Sequence, residues 1–71
     1  MPKLLSSDQI IKILYKNNFV FVSQRGSHMK FSNKVLTAIV IVPANKKEIP
    51  QGTFASIVRQ SKLSKQDFLN Q

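Results

Sequence analysis

The sequence predicts an α+β fold of order α-β-β-β-α, with two helices packed on one face of a three-stranded antiparallel sheet and a short C-terminal helical turn. Three observations predict it. A capped amphipathic segment opens the chain, three short strand-like runs separated by turn residues occupy its middle, and a second amphipathic segment follows a Pro/Gly-marked loop.

The first helix is read over 6–17. Ser6-x-x-Gln9 has capping-box spacing, Asp8 complements the positive end of the helix dipole, and Asn17-Asn18 suits the left-handed turn at a helix C-terminus. Ile10, Ile11, Ile13 and Leu14 gather on one side, with Lys12 and Lys16 on the other. Phe19-Val20-Phe21-Val22 reads as a first strand and yields to a turn at Arg25-Gly26-Ser27. His28 to Phe31 reads as the second strand, Asn33-Lys34 as a tight second turn, and Leu36 to Val42 as the third strand. Connections this short require antiparallel neighbours. Pro43 stops the ladder for want of an N–H, and Ala44 to Glu48 forms an exposed basic loop.

Pro50 and Gly52 announce the next helix, for which Thr53 is the expected cap and Phe54, Ile57 and Val58 the apolar stripe. Ser61-Lys62 closes it. Ser64, with Asp67 three residues on, caps a last turn expected to dock Phe68 and Leu69.

Residues 1–71 read as one domain, since a chain of this length buries only about 60% of its unfolded surface and leaves nothing for a second core. The apolar runs are too short to span a bilayer and no secretory signal is evident, so a cytoplasmic location and no membrane partner are expected. Cysteine is absent, which removes disulfides, thiol catalysis and thiolate metal sites from consideration. Eleven Lys and Arg oppose three acidic residues, a net charge of +8 that calls for an anionic partner; nucleic acid is the commonest, and an acidic protein or an anionic membrane surface satisfies the same field.

Strand alternation narrows the chemistry. If the second strand starts at His28, then His28 and Lys30 share one face while Met29 and Phe31 lie under the helices. The chain's one histidine then stands beside a lysine on the uncovered side, after a glycine turn. Asp8, Glu48 and Asp67 are scattered over different elements, which argues against a metal site, and no acid is placed to complete a Ser-His-Asp triad with Ser27. Glycine-rich phosphate loops are absent. No metal or other cofactor is expected. What such a site can do unaided is cleave RNA through the ribose 2′-OH: a neutral imidazole at His28 accepts the proton, and Lys30, with Arg25 and Lys34, steadies charge on the phosphate. Lys46 and Lys47 in the basic loop are further phosphate-binding candidates. Tyr15 and Lys30 are candidates for the acid that protonates the leaving oxygen.

Gly26-Ser27-His28-Met29-Lys30-Phe31 resembles the G-S-H-x-x-F signature of HicA toxins, also called the YcfA family. Val42-Pro43, Lys47-Glu48-Ile49-Pro50-x-Gly52-Thr53-Phe54, Ile57 and Leu63-Ser64 resemble the family's downstream pattern, and the leading helix fits as well, so the likeness spans nearly the whole chain in order. The resemblance implies a double-stranded-RNA-binding-domain-like fold and an mRNA interferase, an endoribonuclease whose action on mRNA leads to growth arrest. It implies that His28 is the catalytic residue, that Gly26 and Ser27 shape the turn, and that a HicB-type antitoxin covers the histidine side.

Two other classes compete. A non-catalytic RNA-binding module of the same fold usually carries lysines at the start of its last main helix, where this sequence has Thr53-Phe54-Ala55-Ser56. A structural basic protein accounts for the charge but gives no reason for a G-S-H turn.

Overall fold

The computed structural model describes residues 4–69. Its elements run α1 (Ser7–Lys16), β1 (Val20–Arg25), β2 (His28–Asn33), β3 (Ala38–Pro43), α2 (Gln51–Ser61) and α3 (Lys65–Leu69), which is the expected α-β-β-β-α order with a short helix after it. The strands form one antiparallel sheet of order β1-β2-β3.

Helix α1 starts where the capping box places it. Ser6 Oγ accepts from the Gln9 N–H at 3.2 Å and Gln9 Oε1 accepts from the Ser6 N–H at 2.9 Å, satisfying two donors that a helix start otherwise leaves free. It ends at Asn17, after which Asn18 takes a φ of 69°. Ile10, Ile13 and Leu14 are buried, and Ile11 packs partly against the same cluster. From the sheet, Phe31, Ala38, Val40 and Val42 complete the core, with Phe19, Ile49, Ile57 and Phe68 closing its sides.

The sheet alternates cleanly in its inner two strands. Met29, Phe31 and Asn33 of β2 and Ala38, Val40 and Val42 of β3 point to the helices, while His28, Lys30 and Ser32 point away with Pro43, Ile41 and Ile39 beside them. The outer edge of β3 is covered by α2, whose Gln60 Oε1 accepts from the Ile41 N–H at 3.0 Å. Among the described residues the outer edge of β1 has no strand beside it, and all six residues of β1 are exposed.

Several expectations are corrected. The first strand begins one residue later than Phe19 and runs on to Arg25, because the apolar run was the signal and the polar half of the strand carries none. Phe19 itself is buried just ahead of it, whereas Val20, Phe21 and Val22 stay exposed. The second connection is not a tight turn at Asn33-Lys34: Asn33 pairs with Ala38, so residues 34–37 form the turn and Leu36 belongs to it. Asn33 is 4% exposed and acts as a tie, its Nδ2 donating to the Asn17 carbonyl and its Oδ1 accepting from the Leu36 N–H. Thr53 is not the cap of α2. The helix begins at Gln51 with Pro50 as N-cap and no side-chain cap bond, since the Ile49 N–H bond to Leu5 O at 2.7 Å anchors the chain immediately before it. In α3 the Ser64–Asp67 reciprocal bonds form and Phe68 docks, but Leu69 is 47% exposed on the far side of this short helix.

Among the described residues no helix is long and apolar enough to cross a membrane.

Candidate nucleic-acid interface

The hairpin between β1 and β2 sets the site. Arg25 pairs with His28, leaving Gly26 and Ser27 as the two central residues of the turn. Gly26 has a φ of +58° and Ser27 is not among the positive-φ residues, the arrangement of a type II′ turn, whose twist matches that of the flanking strands. An L side chain at Gly26 would be strained even though the space around it is open. Two bonds hold the turn from outside: Gln24 Nε2 donates to the Gly26 carbonyl at 2.9 Å, and the Ala44 N–H donates to the Ser27 carbonyl at 2.7 Å. His28 is therefore presented from a backbone fixed on both sides.

The uncovered face near this turn is cationic. His28 is exposed, its cross-strand neighbours are Arg25 and Pro43, and Lys30 stands two residues along on the same face. Cross-strand Cα atoms lie roughly 4.5–5.5 Å apart, and i,i+2 positions on a strand roughly 7 Å. Ser23 faces Lys30 from β1 and completes the group. Asp8, Glu48 and Asp67 lie in α1, the β3–α2 loop and α3, so no described residue of the sheet carries a carboxylate. Among the described residues no three of His, Asp and Glu come together in a way that would hold a metal ion.

The remaining candidates separate. Lys34 sits in the 34–37 turn, at the opposite end of β2 and roughly 20 Å along the strand direction from His28, so it does not join the group. Lys46 and Lys47 follow β3 at the His28 end of the sheet, both exposed. The loop carrying them is tied down by buried Ser7, whose Oγ donates to the Pro43 carbonyl at 2.5 Å and accepts from the Lys46 N–H at 2.9 Å. Tyr15 lies on the helix side, its ring 5.8 Å from that of buried Phe31, which puts the sheet between its hydroxyl and His28. Tyr15 is thereby removed as the acid. An apolar pocket of about 440 Å³ between Leu4, Leu5, Ile49, Phe54, Val58 and Leu69 shares no residue with the histidine face.

Ser23 escaped the sequence reading. Strict alternation from Val20 puts it on the helix side, and the irregularity that reverses this leaves no mark in the residue types.

A family model for the HicA toxin of bacterial toxin–antitoxin systems matches residues 7–63, from the start of α1 to just past α2. The chain belongs to the HicA toxin family. The matched span contains the whole sheet and the Gly26-Ser27-His28 turn, so this HicA-family chain is a toxin of a toxin–antitoxin system, for which the family implies a HicB-type antitoxin partner. No curated protein matches the chain.

Proposed function

We propose that this HicA-family toxin is a metal-independent mRNA interferase that halts translation by cutting RNA, with His28 as the general base. One observation carries the reading: the chain's one imidazole is exposed on the uncovered face, paired across the strands with Arg25, beside Lys30, with no carboxylate on that face among the described residues.

The chemistry follows from those groups. His28 takes the proton of a ribose 2′-OH; the 2′-oxygen forms a bond to the adjacent phosphorus while the bond to the 5′-oxygen breaks, leaving a 2′,3′-cyclic phosphate and a 5′-OH. Lys30 is the acid available to that leaving oxygen on the same face, and its charge with that of Arg25 offsets the negative charge gathering on the phosphate. Lys46 and Lys47 bind flanking phosphates, Gly26 and Ser27 hold the imidazole's strand in place, and Lys34 contributes at most to distant backbone contacts. A HicB-type antitoxin neutralises the toxin by covering the histidine face. The start of α2 carries no lysine or arginine in its first turn, which weighs against a module that only binds RNA.

The deciding experiment compares growth after induction of the native chain and of His28→Ala, with and without the neighbouring antitoxin. Loss of toxicity and of RNA cleavage in His28→Ala, with an unchanged circular dichroism spectrum and cleavage that persists in EDTA, is the expected result. Equal toxicity of the variant overturns the catalytic role, and a phenotype lost only when lysines are neutralised points to binding alone.

A further inference from the structure

The pairing of β1 with β2 contains one extra residue. Val20 and Phe21 pair with Ser32 and Phe31, but the next pairs are Ser23 with Lys30, Gln24 with Met29 and Arg25 with His28, so Val22 is a bulge without a partner. Without it, alternation from Val20 would send Val22 and Gln24 to the uncovered face and Ser23 and Arg25 to the helix side. With it, the order reverses. Phe21 stays on the helix side, its ring 5.8 Å from that of Phe31, while Arg25 arrives on the face of its cross-strand partner His28. One inserted residue thus keeps Phe21 on the helix side against Phe31 and also brings Arg25 to the face that carries His28.

The chain has two arginines, and the other, Arg59, lies in α2 with its Nη2 donating to Ser56 Oγ at 3.3 Å. Nine lysines provide general positive charge. A guanidinium differs from them in its planar fork, which takes two oxygens of a phosphate at once. Across a two-residue turn, Arg25 and His28 are cross-strand partners on one face, a spacing within the span of a single phosphodiester and its ribose.

We infer that the Val22 bulge serves to aim Arg25 at the scissile phosphate, where its fork holds the two non-bridging oxygens as the 2′-oxygen closes on phosphorus, making Arg25 a catalytic residue. The inference rests on the nuclease reading above. Because charge on those oxygens grows toward the transition state, the bidentate contact speeds the chemical step more than it tightens binding.

The test uses the purified chain, an RNA oligonucleotide that it cuts, and the same oligonucleotide with 2′-deoxy sugars for binding. The variants are Arg25→Lys, the double variant Gln24→Arg/Arg25→Gln, and His28→Ala, each checked by thermal melting. Arg25→Lys keeps the charge and is expected to slow single-turnover cleavage by about 100-fold while changing Kd for the deoxy strand less than about 3-fold. The double variant also conserves net charge but moves the guanidinium to the other face, and its cleavage should stay equally slow; because it also loses the Gln24 bond to the Gly26 carbonyl, Gln24→Ala is its control and should cleave much faster than it. Native cleavage rates in Arg25→Lys, or rescue in the double variant, overturn the assignment of Arg25 alone, with His28→Ala still inactive. If His28→Ala cleaves as the native chain does, the nuclease reading itself fails and takes this role with it.

Discussion

The Ala44 N–H donates to the Ser27 carbonyl at 2.7 Å, so the first residue after β3 fastens the residue that precedes His28. Ala44 is itself nearly buried, and Pro43 before it is held from the other side by Ser7 Oγ. The histidine turn is therefore coupled to α1 and to the basic loop through two residues that carry no chemistry.

Gly26→Ala tests the turn. The methyl group meets nothing within 4 Å, so the cost is conformational: an L-residue at φ +58° is disfavoured by about 1–2 kcal/mol. Chemical denaturation should show a loss of that size. Cleavage should fall further than the stability change explains, because the strained turn shifts both Arg25 and His28.

Asn33→Ala tests the tie at the other end of the sheet. The substitution strips the Asn17 carbonyl and the Leu36 N–H of their partners in a half-buried place, and each such loss costs at most about 1–3 kcal/mol. Denaturation should register a drop in that range, while the His28 end, a full strand length away, keeps its cleavage rate at temperatures where the variant is folded.

Ser6→Ala and Thr53→Ala distinguish a working cap from an apparent one. Ser6 bonds the Gln9 N–H, so its loss should cost about 1 kcal/mol; α2 has no side-chain cap bond, so Thr53→Ala should fall well below that figure. Equal losses in urea titrations would contradict the cap assignment at Pro50.

The legible parts of the fold were those written in local chemistry. The Ser6/Gln9 and Ser64/Asp67 pairs, the period of Ile10, Ile13 and Leu14, and the alternation of His28 to Phe31 each express a contact that closes within four residues, so residue type and spacing suffice. The same alternation placed His28 and Lys30 together on the wet face. Thr53 misled because Thr has cap chemistry wherever it stands, while the true start of α2 depends on Ile49 binding Leu5 from a distant part of the chain.

By itself, then, the sequence determined the order of elements, the helix-facing residues of β2, and the exposure of the lone imidazole among cations. Only the tertiary structure decided which cations join it. Arg25 does because an unpaired Val22 reverses the alternation of β1, Lys34 does not because its turn lies at the far end of β2, and Tyr15 does not because the sheet stands between it and His28. Register and facing are properties of two strands at once, settled by packing the Phe21 ring edge-on against buried Phe31 while keeping the hairpin turn short, and a single strand's residues do not encode that compromise.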